Sequence, residues 1–136
     1  MSNEEKIKQA IELLKTDPVS AIGLLDDILA DTPQNIDALY NKGMALDVLK
    51  QYQEAINYFL KVLQLNPKTA LAHVSIANIA NTCGQPMQAI QRYVAAINID
   101  NGLLSHFYNW LGTTALQASQ RAIAVKGTDL NKSREE

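Results

Sequence analysis

Alanine stands at Ala21, Ala55 and Ala89, isoleucine follows at Ile22, Ile56 and Ile90, and the interval is 34 residues each time. Pro33 and Pro67 keep the same interval. One turn after each alanine comes a large side chain, Leu25, Phe59 or Tyr93, and after it a smaller packing partner, Ile28, Val62 or Ala96. Such a period marks one supersecondary unit that cannot bury its apolar face alone and must stack on copies of itself. The 136 residues equal four periods, and the pattern divides them into units 2–35, 36–69 and 70–103 with a degenerate remainder.

The units read as helix throughout. Only 6 glycines and 4 prolines interrupt the chain, and between them apolar residues recur at three- and four-residue spacing. Ala55, Ile56, Phe59, Val62 and Leu63 form one stripe of a helix that should end near Leu65, before Asn66-Pro67. Asp17-Pro18 suits an N-cap followed by proline at the first helical position; Gln85-Pro86 repeats the proline with a poorer cap. Thr32-Pro33 marks a further boundary.

Composition narrows the class. Hydrophobic residues at 47% against 19% charged are too many for a disordered chain. The 12 basic and 14 acidic residues provide no overall positive field for nucleic acid. No apolar run approaches the roughly 20 residues needed to cross a bilayer. Cys83 is the only cysteine and cannot close an intramolecular disulfide, and the polar start Ser2-Asn3-Glu4-Glu5-Lys6 does not read as a signal peptide. An intracellular, cytoplasmic protein without membrane insertion is expected.

The second unit, with Leu39, Gly43, Tyr52, Ala55, Phe59 and Pro67, resembles a tetratricopeptide repeat, and the likeness extends over residues 2–103. It implies an all-α fold, a right-handed α-solenoid of antiparallel helix pairs with small residues where the helices of a pair cross. Departures are present. Gln9 and Ala77 stand at the crossing position that Gly43 fills, Lys42 stands where leucine is usual, and Pro18 and Pro86 replace the aromatic Tyr52. The expected domain covers 1–127, with a capping helix over 104–126 built on Leu103, Phe107, Trp110, Leu111, Ala118, Ala122 and Val125. A break near Ser119-Gln120 is left open, and 128–136 is expected to be a frayed polar tail.

Chemistry that needs converging side chains is scarce. His73 and Cys83 are ten residues apart on one predicted helix, about 15 Å along its axis, and make no dyad. Cys83 is expected to be a small buried hydrophobe and His73 a packing residue; His106 has no carboxylate or thiol near it in sequence. Asp27 and Asp31 lie one turn apart beside Asp26 but lack the alternating ligands and glycine of a calcium loop, so a solvated acidic face is expected. Phosphate cradles and nucleophile elbows are missing from the sequence. Neither an enzyme, a cofactor nor a metal is expected.

Binding follows from the resemblance. In this family the first helices of successive pairs line a concave groove, which implies Asn3, Lys6, Ile7 and Ala10 from unit one, Asp37, Tyr40, Asn41 and Met44 from unit two, and Leu71, Val74, Ser75 and Asn78 from unit three. Asn41, Asn78 and Asn81 can pair with the backbone of a peptide, while Tyr40, Met44, Leu71 and Val74 suit its apolar side chains. Family members that grip acidic chaperone tails use a clamp of lysines, asparagines and an arginine. Here Lys6 and Asn41 match and Ala10, Leu71 and Ser75 do not, so a protein-binding scaffold without that clamp is expected. Self-association is the alternative. Residues 1–54 hold ten acidic and five basic side chains, net −5, and 55–136 hold four and seven, net +3, a polarity that favours head-to-tail stacking, with Trp110 as a candidate contact.

Overall fold

The computed structural model describes residues 1–113 and 120. Six helices run through the first of its two compact units, Met1–Asp100: α1 Asn3–Leu13, α2 Pro18–Asp31, α3 Ile36–Val48, α4 Tyr52–Leu65, α5 Ala70–Thr82 and α6 Pro86–Ile99. Short connections make successive helices antiparallel, and each packs on the next. In addition α1 touches α3 and α3 touches α5, whereas α2, α4 and α6 lack comparably broad mutual contact. The first helices of the pairs therefore form one continuous layer of an all-α solenoid, as the 34-residue ladder requires.

Local sequence sets the boundaries. Ser2 Oγ accepts the Glu5 amide, Asp17 Oδ1 that of Ser20, and Asn35 Oδ1 that of Ala38, while Gln85, longer than asparagine by one methylene, makes no side-chain cap. The ladder is the core. Ala21, Ala55 and Ala89 are fully buried, as are Leu25, Phe59, Ile28, Val62 and Ala96, and Tyr93 nearly so. Leu39, Leu46, Phe59, Val62, Ile76 and Ile79 form one apolar cluster; Ala10, Ala21, Leu25, Ile28 and Ala38 form another.

Unit one departs from the strict period. Lys50 and Gly84 adopt left-handed conformations, φ 62 and 75, and the amides of Gln51 and Gln85 reach back to the Leu46 and Ala80 carbonyls to close the turns of units two and three. Thr16 occupies the matching position, and a β-branched residue resists positive φ. The turn there closes instead through the Asp17 amide on Leu13, and one more residue separates α1 from α2. The helix is displaced accordingly. Ala10, fully buried, and not the exposed Gln9, takes the crossing position of Gly43 and Ala77, which corrects the register expected from the period.

Lys42, the departure from leucine, is explained by its neighbours. Its ammonium lies 2.6 Å from Asp26 of the preceding unit and 4.7 Å from the Tyr58 ring centroid. Burial alone would lower the Lys42 pKa, but Asp26 and Tyr58 outweigh it and hold the group above its usual value. Asp27 and Asp31 are exposed.

The second unit begins at Asn101 with a single 3-10 turn, Asn101–Leu103, and continues as helix over 104–113. Trp110 is half-buried with its ring stacked on Phe107 at 6.0 Å. Most of the remaining expected cap, with Ala118, Ala122 and Val125, and the tail 128–136 lie outside the described residues.

A Cβ placed on Gly43 would stand 2.7 Å from Phe59 Cε1 and 2.9 Å from Cζ, too close for a ring that is itself fully enclosed. Gly43→Ala is expected to destabilise the chain by about 1–3 kcal/mol in urea unfolding. In the background of Phe59→Leu the same change should cost markedly less, because the ring it strikes is gone.

Candidate functional site

With α1 shifted by one residue, the open face of the first-helix layer can be read from the structure. Ile7 of α1 corresponds to Tyr40 of α3 and Val74 of α5, all half-buried. A turn further on, Ile11, Met44 and Asn78 correspond; beyond them come Leu14, Asp47 and Asn81, and at the start Glu4, Asp37 and Leu71. Each helix contributes residues at spacings of three and four, the arrangement that lines up one helical face. Ile11 is 50% and Leu71 56% exposed, well above what large apolar side chains show in a core.

Seven of the nine residues expected in the groove lie on this face: Ile7, Tyr40, Met44, Leu71, Val74, Asn78 and Asn81. Asn41 and Ser75 do not. Each is only 8% exposed, because their position flanks the neighbouring first helix instead of facing outward. The Asn41 amide donates to the Asp37 carbonyl at 2.8 Å, and Ser75 Oγ sits 3.5 Å from the Tyr40 hydroxyl and 3.7 Å from Met44 Sδ. Both belong to the packing beneath the face. Ala10 is likewise buried, in the helix crossing.

Asn78 is exposed and oriented from below. The Tyr93 hydroxyl donates to its Oδ1, which leaves the amide NH2 outside that bond. Burial pushes the Tyr93 phenol up, which keeps it protonated as that donor.

Asp47 escaped the sequence reading, although the step of three from Met44 reaches it. It is half-buried on α3, and burial raises its pKa with no cation to offset the cost. No ion pair or side-chain hydrogen bond holds it among the described residues. Together with Glu4 and Asp37 it makes the polar part of the face acidic; the twelve positions include no lysine or arginine.

Cys83 corrects another expectation. It caps the end of α5, next to left-handed Gly84, and is exposed and not buried. His73 is half-buried on a different face of α5, beside Arg92. Among the described residues no three His, Cys, Asp or Glu side chains cluster as metal ligands. No helix of the described residues is long and apolar enough to cross a membrane.

These features define a helical-repeat solenoid with an open apolar face. Residues 36–69, the α3–α4 pair, match the family model described as a tetratricopeptide repeat, and a helix pair lies on either side of them in the chain. Among solved structures, the chain is similar to a crystal structure of MamA, at 21% identity and a TM-score of 0.67 over 76% of this chain and 61% of that one. It is similar also to MamA designated AMB-1, at 24% and 0.66 over 74% and 60%, and to a MamA structure from Desulfovibrio magneticus RS-1, at 19% and 0.65 over 71% and 55%. The chain thus spans about three fifths of the length of these structures, and the likeness is one of fold. No curated protein sequence matches it.

The raised Asp47 pKa carries a sign. A group whose folded pKa lies above its unfolded 3.8 loses its contribution to stability as pH rises through the folded value, so at neutral pH the Asp47 charge opposes folding. Asp47→Asn is expected to raise the urea midpoint at pH 7 and to leave it nearly unchanged near pH 3. A fall at pH 7 would show that the carboxylate has a stabilising partner.

Proposed function

We propose that the chain is a protein-interaction scaffold whose first-helix face takes a segment of a partner protein, without the dicarboxylate clamp for acidic tails. The observation that carries this reading is the row of exposed apolar side chains, Ile11, Leu71 and the half-buried Tyr40, Met44 and Val74, beside a desolvated carboxylate at Asp47. Apolar area left in water and a charge left without a partner both cost free energy that a ligand can recover. The complement is a segment with spaced apolar side chains and a lysine or arginine set against Asp47. Acidic tails suit this face poorly, because Glu4, Asp37 and Asp47 repel them and no guanidinium or ammonium receives them. Asn78, held by Tyr93, supplies a backbone-directed donor.

Fluorescence anisotropy with peptides that alternate leucine or valine with lysine tests the reading. Such peptides should bind saturably and their glutamate counterparts at least about tenfold more weakly. Asp47→Asn, expected not to weaken the fold, should cost about tenfold in affinity, and Asn78→Ala a smaller factor. Preference for the acidic peptides, or an unchanged affinity in Asp47→Asn, would count against the acidic apolar groove.

A second reading, self-association, is favoured by the charge polarity of net −5 over 1–54 and net +3 over 55–136. It would place oppositely charged ends of two copies together and weaken with salt. Light scattering at low and high ionic strength decides it: a strict monomer at low salt and high concentration removes the reading. Trp110 to alanine is its site-specific arm.

A further inference from the structure

A depression of about 430 Å³ lies on α4, α5 and α6, away from the first-helix face, and none of the groove residues lines it. Its walls are of two kinds. Leu60, Leu63 and Pro67 are apolar; Gln64, His73 and Arg92 are polar, and the two titratable members are both basic. The Arg92 Nη1 stands 3.5 Å from His73 Nδ1. Burial first, and the Arg92 charge second, push the His73 pKa down, so the imidazole is neutral at pH 7.

The pair is not neutralised. Among the described residues no carboxylate lies within ion-pair distance of Arg92 or of His73, and Arg92 is the only charged group whose field reaches the imidazole appreciably. With Nδ1 facing the guanidinium as acceptor, the neutral ring carries its proton on Nε2, a donor available for a ligand. Arg92 retains further N–H groups in the fork geometry that matches a carboxylate. The volume falls in the range of small-molecule pockets, and a ligand filling it would lie against hydrocarbon on one side and the Arg92 guanidinium with the neutral His73 ring on the other.

We propose that this depression is a binding site for an apolar carboxylate, its carboxyl group held by Arg92 and His73 and its hydrocarbon part laid along Leu60, Leu63 and Pro67. A bound anion turns the unfavourable neighbourhood of His73 into a favourable one for the imidazolium. Two sources share the chemistry, a free aliphatic acid and the C-terminal carboxylate of a protein that ends in an apolar residue. The site is independent of the first-helix face, and either can be disproved while the other stands.

Hexanoate is the probe, and the His73 imidazole resonance, with His106 as internal reference, is the readout. Hexanoate should shift the His73 signal saturably and move its titration to higher pH, while hexanol, which has the same chain and no charge, should do neither. Arg92→Gln should weaken hexanoate at least about tenfold. If that variant proves unfolded by circular dichroism, His73→Gln followed by calorimetry takes its place and should show the same loss. A short peptide ending in a free leucine carboxylate, compared with its amidated form, separates the sources: tighter binding than hexanoate, lost on amidation, assigns a protein C-terminus, and binding no tighter than hexanoate assigns a free acid. The absence of a saturable shift at about 10 mM hexanoate, equal binding of hexanol, or full affinity in the folded variant would overturn the site.

Discussion

The contact between Phe59 and the bare backbone of Gly43 sets the distance at which α3 and α4 cross, and the rest of the solenoid inherits it. A ring pressed against a residue without Cβ brings two helix axes close and encloses Ala55 and Val62 beside it. The same problem is solved by other pairs elsewhere. In unit one a buried alanine, Ala10, shares its cluster with the smaller Leu25, and in unit three Ala77 and Tyr93 are both buried. Repetition of this crossing, not helix propensity, holds the units together, because each short helix would be marginal by itself.

Much of this was legible because the ladder lies on the second helices. Ala21, Ala55 and Ala89 and the residues a turn beyond them face inward in every unit, so burial preserved their period. The first helices are less strictly constrained, since each has one side on its own partner, another on a neighbouring unit and a third in the open. Their register depends on the turn that follows. Lys50 and Gly84 adopt positive φ and Thr16 does not, and this one backbone difference shifts α1 by a residue and turns Gln9 outward. A period counted along the chain cannot show such a slip, because the second helix restores the count.

The face itself was partly legible for the same reason. The open side of the layer, with exposed Leu71 and half-buried Tyr40 and Val74, follows from helical geometry once the layer is known. Asn41 and Ser75 differ from them by one step around the helix, and whether that step is open or covered depends on how near the next first helix comes. Asp47 carried a signal in its spacing from Met44, but its significance lies in desolvation, which no linear pattern reveals. Cys83 shows the converse: alignment with Leu49 promised burial, but Leu49 is only half-buried and the helix ends there.

Charge is distributed by face as well as along the chain. The first-helix face combines apolar side chains with Glu4, Asp37 and Asp47, while the depression on α4, α5 and α6 combines them with Arg92 and His73. A net charge of only −2 thus coexists with local environments of opposite sign. Solenoid stacking explains why both persist. Each unit contacts only its neighbours, so a costly desolvated charge at one surface is offset by the common core and need not be compensated by a partner on the opposite side. The repeat supplies the stability, and its surfaces remain free to carry unpaired charge where binding can use it.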